Sequence, residues 1–221
     1  MSKILGVLGG MGPAATVAFL ARVQALTPAE GDADHIRILM DLNPQVPDRN
    51  TRPGEAEAEL AEMALRLKAA GAEILAMPCN TAHAQKAGIE ASGLPFIDMI
   101  AETVAAAKGH DARAIGVLAT PGGEALYRAA LEAEGVKPVL LKGEDRDAFM
   151  TCVYAVKRGD AGPVQRAGMR RLAEALNAAG ADAVIAGCTE VPLLLDAADV
   201  SVPLIDSAEI LAGTCVRVCL N

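Results

Sequence analysis

The feature that most constrains this chain is that its 221 residues repeat themselves once. Ile4-Leu5-Gly6-Val7-Leu8-Gly9-Gly10 matches Ala114-Ile115-Gly116-Val117-Leu118-Ala119-Thr120, 110 residues on. Ala70-Gly71-Ala72-Glu73 leading to Cys79-Asn80-Thr81 matches Ala179-Gly180-Ala181-Asp182 leading to Cys188-Thr189-Glu190, 109 residues on. Leu94-Pro95-Phe96-Ile97-Asp98 matches Val202-Pro203-Leu204-Ile205-Asp206, 108 residues on. Three blocks in one order at a nearly constant offset predict two halves built alike.

Short apolar runs ending in Gly or Pro alternate with Ala/Glu/Arg-rich stretches, the pattern of βαβ units and a parallel sheet. Strands are expected over 4–8, 36–40, 74–77, 114–118, 139–141 and 183–186, and helices over 13–26, 55–70, 97–108, 123–134, 162–179 and 207–219. The fold class is therefore α/β, with two similar domains, each a parallel sheet flanked by helices. Ligands of open parallel sheets bind beyond the carboxyl ends of the strands, so each half should offer its loops to an active site in the cleft between them. The matched Ile-Asp blocks suggest that the helices after them exchange between halves. The expected domains are then residues 1–98 plus 207–221, and residues 99–206.

Composition removes several function classes. A net charge of −8 with 2% aromatic residues supplies neither a basic stripe nor a stacking platform, which excludes nucleic acid. No apolar run reaches the eighteen or so residues of a membrane span, and the N-terminus is too short and Gly-rich for a signal segment. A cytoplasmic protein is expected. Five cysteines are an odd number in a chain that needs no staples, so thiols rather than disulfides are expected. A metal site is not expected either, because no Cys-x-x-Cys occurs and His35, His83 and His110 lack ligand spacing.

Cys79 and Cys188 each follow a buried-strand pattern and precede a helical one. A thiol at a helix N-terminus meets the positive end of the dipole, which lowers its pKa and makes it reactive. Cys152, Cys215 and Cys219 lie in apolar or helical surroundings and read as packing residues. His83, four residues after Cys79, either tunes that thiol or contacts a ligand, or simply occupies a helix face. A cysteine hydrolase would need one thiol with a partnered histidine, whereas the repeat supplies two thiols. Two symmetric acid/base groups on opposite sides of a bound carbon suit racemisation or epimerisation. A rival reading is a dinucleotide-binding oxidoreductase, since Gly10-Met11-Gly12-Pro13-Ala14-Ala15 fits G-x-G-x-x-A. Its ribose ligand should lie about twenty residues on, but Asp41 lies 31 residues after Gly10 and the paired cysteines stay unexplained. A non-enzymatic two-lobed binding protein is the third option.

Five segments together resemble the aspartate/glutamate racemase family, on its aspartate racemase branch, over essentially the full length. They are Leu8-Gly9-Gly10-Met11-Gly12-Pro13, Asn43-Pro44-Gln45-Val46-Pro47-Asp48-Arg49, Pro78-Cys79-Asn80-Thr81-Ala82-His83, Gly187-Cys188-Thr189-Glu190-Val191-Pro192-Leu193-Leu194 and Pro203-Leu204-Ile205-Asp206-Ser207. The resemblance implies a racemase independent of pyridoxal phosphate or any other cofactor, with two domains related by pseudo-two-fold symmetry, working as a homodimer. It implies Cys79 and Cys188 as the acid/base pair. It places the α-carboxylate of a small dicarboxylic amino acid at Asn80, Thr81 and Thr189, with Met11 and Thr120 at the strand ends. Arg49 and Lys157 resemble the family's contacts to the acidic side chain, and Glu190 would orient the ammonium group or help Cys188 exchange its proton. Glutamate racemases carry Asp-Ser where Gly10-Met11-Gly12 stands and histidine where Glu190 stands, so aspartate is expected ahead of glutamate. Thr120-Pro121-Gly122-Gly123 departs from the family's Gly-Thr. Decarboxylases of the same fold use a single cysteine, whereas maleate isomerases can carry two and remain the alternative.

Overall fold

The computed structural model describes residues 2–49, 51–110 and 112–221. The chain separates into two units, one of residues up to Glu102 together with Ala208–Asn221, the other Thr103–Ser207. Each unit is built on a four-stranded parallel sheet.

In the first unit the strands are β1 (Leu5–Gly9), β2 (Ile38–Leu42), β3 (Ile74–Ala76) and β4 (Phe96–Ile97), in the order β2-β1-β3-β4. The second unit repeats this with β5 (Ala114–Leu118), β6 (Lys137–Leu140), β7 (Ala183–Ala186) and β8 (Leu204–Asp206), in the order β6-β5-β7-β8. The repeat seen in the sequence is preserved in the pairing. Leu5 lies opposite Ile74 and Leu75 opposite Phe96, while Ile115 lies opposite Ala183 and Val184 opposite Leu204. The four partners of the second unit are the repeat equivalents of the four in the first. β1, β3, β5 and β7 are buried throughout, as central strands of a sheet covered on both faces must be.

The helices are α1 (Pro13–Leu26), α2 (Pro53–Ala69), α3 (Lys86–Glu90), α4 (Met99–Lys108), α5 (Pro121–Ala133), α6 (Glu144–Lys157), α7 (Pro163–Ala178) and α8 (Ser207–Leu220). Four of them, α1, α2, α5 and α7, start with proline in the first turn, where the missing N–H costs nothing. No helix is long and apolar enough to cross a membrane among the described residues. α8 buries Ala208, Leu211, Ala212, Cys215 and Val216 against Leu5, Val7, Phe19 and Ile74 of the first unit. At roughly 1.5–3 kcal/mol per fully buried large apolar side chain, that face is ample to hold the chain's last helix in place.

Three features were not expected. β4 and β8 are two and three residues long and follow a proline, too short for any periodicity to register. α3 is a single turn. The third, α6, is a full helix where none was expected, although Phe149, Cys152, Val153 and Val156 sit at i, i+3, i+4 and i+7 and are all buried. Its first turn, Glu144, Asp145, Arg146 and Asp147, holds no apolar residue to begin that pattern. The acids there instead complement the helix dipole, and Arg146 reaches Glu124 of α5 at 2.6 Å.

Candidate active site

The crossover from β2 to β3 carries loop residues 43–49 and 51–52 and then α2, whereas the crossover from β6 to β7 is α6 and then α7. Arg49 lies in the first of these and Lys157 ends α6 in the second. The two expected cations therefore occupy equivalent crossovers, supplied by a loop in one unit and a helix in the other.

In the first unit the chain leaves β3 through Met77-Pro78-Cys79, with the Cys79 N–H donating to the Met77 carbonyl at 2.8 Å in a three-residue turn. Cys79 is buried and shares an apolar cluster with Met11, Val46 and Ala82. Asn80 and Thr81 are buried beside it in sequence. Met11 follows Gly10, whose N–H donates to Thr16 Oγ1 at 3.0 Å and whose φ of +97° requires glycine. A Cβ there would stand 2.4 Å from the backbone of Asn43, so β1 and the loop carrying Arg49 meet through this glycine. Arg49 is half-buried. One terminal nitrogen makes long bonds of 3.4 and 3.3 Å to the carbonyls of Val46 and Pro47, and its Nε is buried without a partner among the described residues. A guanidinium so poorly satisfied is suited to an incoming carboxylate. Asp41, the ribose-ligand candidate of the oxidoreductase reading, is paired with Arg66 at 3.0 Å.

His83 lies in the short 3-10 turn Thr81–Gln85 after Cys79 and is bonded at both ring nitrogens, to the Cys79 carbonyl at 2.9 Å and to the Met99 N–H at 3.0 Å. It has no nitrogen left to contact a ligand.

In the second unit Cys188 follows β7 through Gly187 and is buried with Leu118, Val156, Ala186 and Val191. A Cβ at Gly187 would stand 2.7 Å from the Tyr127 ring of α5, so glycine permits close approach of the Cys188 loop to that helix. Thr120 caps α5, its hydroxyl accepting from the Gly123 N–H at 3.3 Å. Thr189 and Glu190 are both buried. The Cys188 thiol donates to Glu190 Oε2 at 3.0 Å, and Oε1 of the same carboxylate is buried with no partner among the described residues.

The electrostatics correct one expectation. Burial first, and the adjacent Glu190 carboxylate second, push the Cys188 thiol well above its ordinary value, with the Lys157 charge opposing weakly. At Cys188 the expected lowering by a helix dipole fails, and no α-helix follows either cysteine directly. Only 3-10 turns do, of five residues after Asn80 and three after Glu190. Cys215, which burial also raises far above normal, and Cys152 and Cys219, raised less, are buried packing residues. Among the described residues no three His, Cys, Asp or Glu side chains gather as a metal site.

Matched thiols just past β3 and β7 of a duplicated parallel α/β unit, with a loose guanidinium in one unit and a half-satisfied carboxylate in the other, are an arrangement that an isomerase of the racemase class can use. The chain belongs to the Asp/Glu/hydantoin racemase family, whose sequence model matches residues 8–215. It is 30% identical over 222 residues to the broad specificity amino-acid racemase RacX of Bacillus subtilis, covering 96% of each chain. The aspartate racemase of Picrophilus torridus superposes with a TM-score of 0.87 at 28% identity, over 97% of this chain and 93% of that one. Glutamate racemase isoform RacE1 of Bacillus anthracis shares the fold, with a TM-score of 0.70 at 23% identity over 98% of this chain and 81% of that one.

Proposed function

We propose that the chain interconverts the L and D forms of an acidic amino acid, aspartate ahead of glutamate, by two-base proton transfer between Cys79 and Cys188 without a cofactor. The observation that carries this reading is the matched placement of the two thiols, each just past the third strand of its own sheet. One thiolate removes the α-proton, a carbanion or enediolate-like state forms, and the other thiol delivers a proton to the opposite face. Cys188, kept protonated by burial and Glu190, starts as the donor, and Cys79 starts as the base.

The α-carboxylate is held at Asn80, Thr81 and Thr189, against Met11 and Thr120. Charge developing there is stabilised by polar groups already fixed in position by their buried surroundings. Arg49 and Lys157 take the side-chain carboxylate, and the unmet Oε1 of Glu190 takes the ammonium group. The proposal includes a cytoplasmic homodimer, which sedimentation equilibrium checks. A wider amino-acid range is a second reading, supported by the similarity to RacX.

The test is incubation with each enantiomer of aspartate and glutamate in deuterated water, following loss of the α-proton signal and optical inversion. Cys79→Ser and Cys188→Ser should each lower racemisation by about 10²–10⁴-fold. Wild-type rates from both variants sink the reading.

A further inference from the structure

The tautomer of His83 follows from the bonding around it. The backbone N–H of Met99 can only donate, so the ring nitrogen it meets, Nε2, is the unprotonated one. Nδ1 therefore carries the proton and donates to the Cys79 carbonyl. The ring is 3% exposed and lies 5.3 Å from the ring of Phe96, so it cannot swing away without opening the core. Asp98 is engaged elsewhere. Its Oδ1 accepts from the N–H groups of Ile100 and Ala101 at 2.9 and 3.1 Å, capping α4, and its Oδ2 pairs with Lys86 at 2.7 Å.

We infer that His83 is the positioning residue of Cys79: as the neutral Nδ1–H tautomer it straps the Cys79 carbonyl to the first turn of α4, fixes the direction of the thiol, and must stay neutral to do so. This rests on the two-thiol reading above. A second proton on the ring would put an N–H at Nε2 facing the N–H of Met99, two donors head to head, and the strap would break. Burial opposes that proton, and Lys86 of α3 opposes it too, whereas the Asp98 carboxylate favours it. The backbone bonds of Cys79 and Ile97 to the ring favour it as well, and burial outweighs all three. Acid is then the condition that releases Cys79.

In the second unit the equivalent helix start ties the strand before Cys188 through a hydroxyl. Ser207, the repeat equivalent of Met99 and the first residue of α8, donates its hydroxyl to the carbonyl of Ala186 at 2.7 Å. Acid sensitivity through this strap therefore belongs to the Cys79 side alone.

Two variants and one spectrum test this. His83→Gln keeps a donor and an acceptor on one flat side chain but takes no proton, and His83→Ala removes both. With L-aspartate as the probe from pH 4.5 to pH 9, wild-type kcat should fall on the acid side. His83→Gln should stay within about five-fold of wild type at pH 8 and shift that acid limb, leaving only the part due to protonation of the Cys79 thiolate. His83→Ala should lose about 10²-fold in kcat with KM changed less than about three-fold, because misdirecting a base by about an ångström acts on the transition state. Thermal melts establish that each variant is folded. Independently of the variants, 15N-histidine spectra of the wild type should show His83 as the Nδ1–H tautomer at neutral pH. An Nε2–H tautomer, a folded His83→Ala with wild-type kcat, or an unchanged acid limb in His83→Gln overturns the strap. If Cys79→Ser turns over at wild-type rate, the two-thiol reading fails instead. If neither aspartate nor glutamate is a substrate, the tautomer alone decides.

Discussion

The Cys188 thiol donates to Glu190 across 3.0 Å in a buried site, and among the described residues only one of the two carboxylate oxygens is used. Leaving a buried acceptor unmet costs about 1–3 kcal/mol, more when the group is charged, and a bound ammonium group would relieve that cost. Glu190→Gln removes the second-largest cause of the raised Cys188 pKa and should bring it down. In a Cys79→Ser background, Cys188 should then react faster with iodoacetamide at pH 8. In the otherwise native chain, kcat/KM for aspartate should fall about 10- to 100-fold as the ammonium contact weakens. Unchanged alkylation together with unchanged turnover would count against both roles.

Arg49 and Lys157 should separate binding from chemistry. Arg49→Ala removes a guanidinium with an unmet Nε and should raise KM for aspartate about 10- to 100-fold, the range of one charge-assisted contact, with little effect on kcat. Lys157→Ala should raise KM and also push the Cys188 thiol higher, because the lysine charge opposes its raised pKa. Steady-state kinetics alongside pH-dependent alkylation reads both effects. A Lys157 variant that moves neither places this lysine outside the site.

Stability should depend on pH through His83. Its folded pKa lies below the ordinary value, mainly from burial, so in acid the unfolded chain binds a proton that the native chain resists. The contribution is fully present above about pH 6.5, the free histidine value, and is lost as pH falls from there through the folded pKa. Urea melts between pH 5 and pH 8 should show the decline in the wild type and a shallower one in His83→Gln. Parallel curves would assign the pH dependence to other groups.

Two positive-φ glycines should differ in what they tolerate. At Gly10 a Cβ meets the backbone of Asn43 at 2.4 Å, so Gly10→Ala combines a strained conformation with a clash that no side chain can relieve. A loss of about 3 kcal/mol or more is expected. Gly180 has a nearly identical φ of +96° with nothing within 4 Å of a Cβ, and Gly180→Ala should cost only about 1–2 kcal/mol. Equal losses in urea denaturation would mean that the meeting of β1 with the Asn43 loop is not tight.

Thiol accessibility gives a further check. Cys215 is fully buried on α8, and burial holds its thiol far from ionisation, so it should resist Ellman's reagent in native protein and react only on unfolding. Rapid native labelling of Cys215 would show that α8 detaches from the first sheet.

The sequence alone determined the duplication, the parallel sheets and the pair of cysteines worth testing. Those are carried by local signals: a 110-residue repeat, buried β-runs ended by Gly or Pro, and two thiols in matched blocks. The strand register follows the same repeat, because like segments pair alike. β4 and β8 were unreadable as strands, since two or three residues show no period and exist as strands only because β3 and β7 supply partners. Only the tertiary structure decided the chemistry around each thiol. Whether a cysteine after a strand is acidified or suppressed depends on the depth of burial and on which charge lies beside it. At Cys188 the desolvation and Glu190 outweigh a 3-10 turn too short to act as a dipole. In the same way His83 reads as one helix-face residue among others until the fold brings the Met99 amide to its ring. Spacing along the chain can record which residues repeat, but not which groups have been taken out of water together.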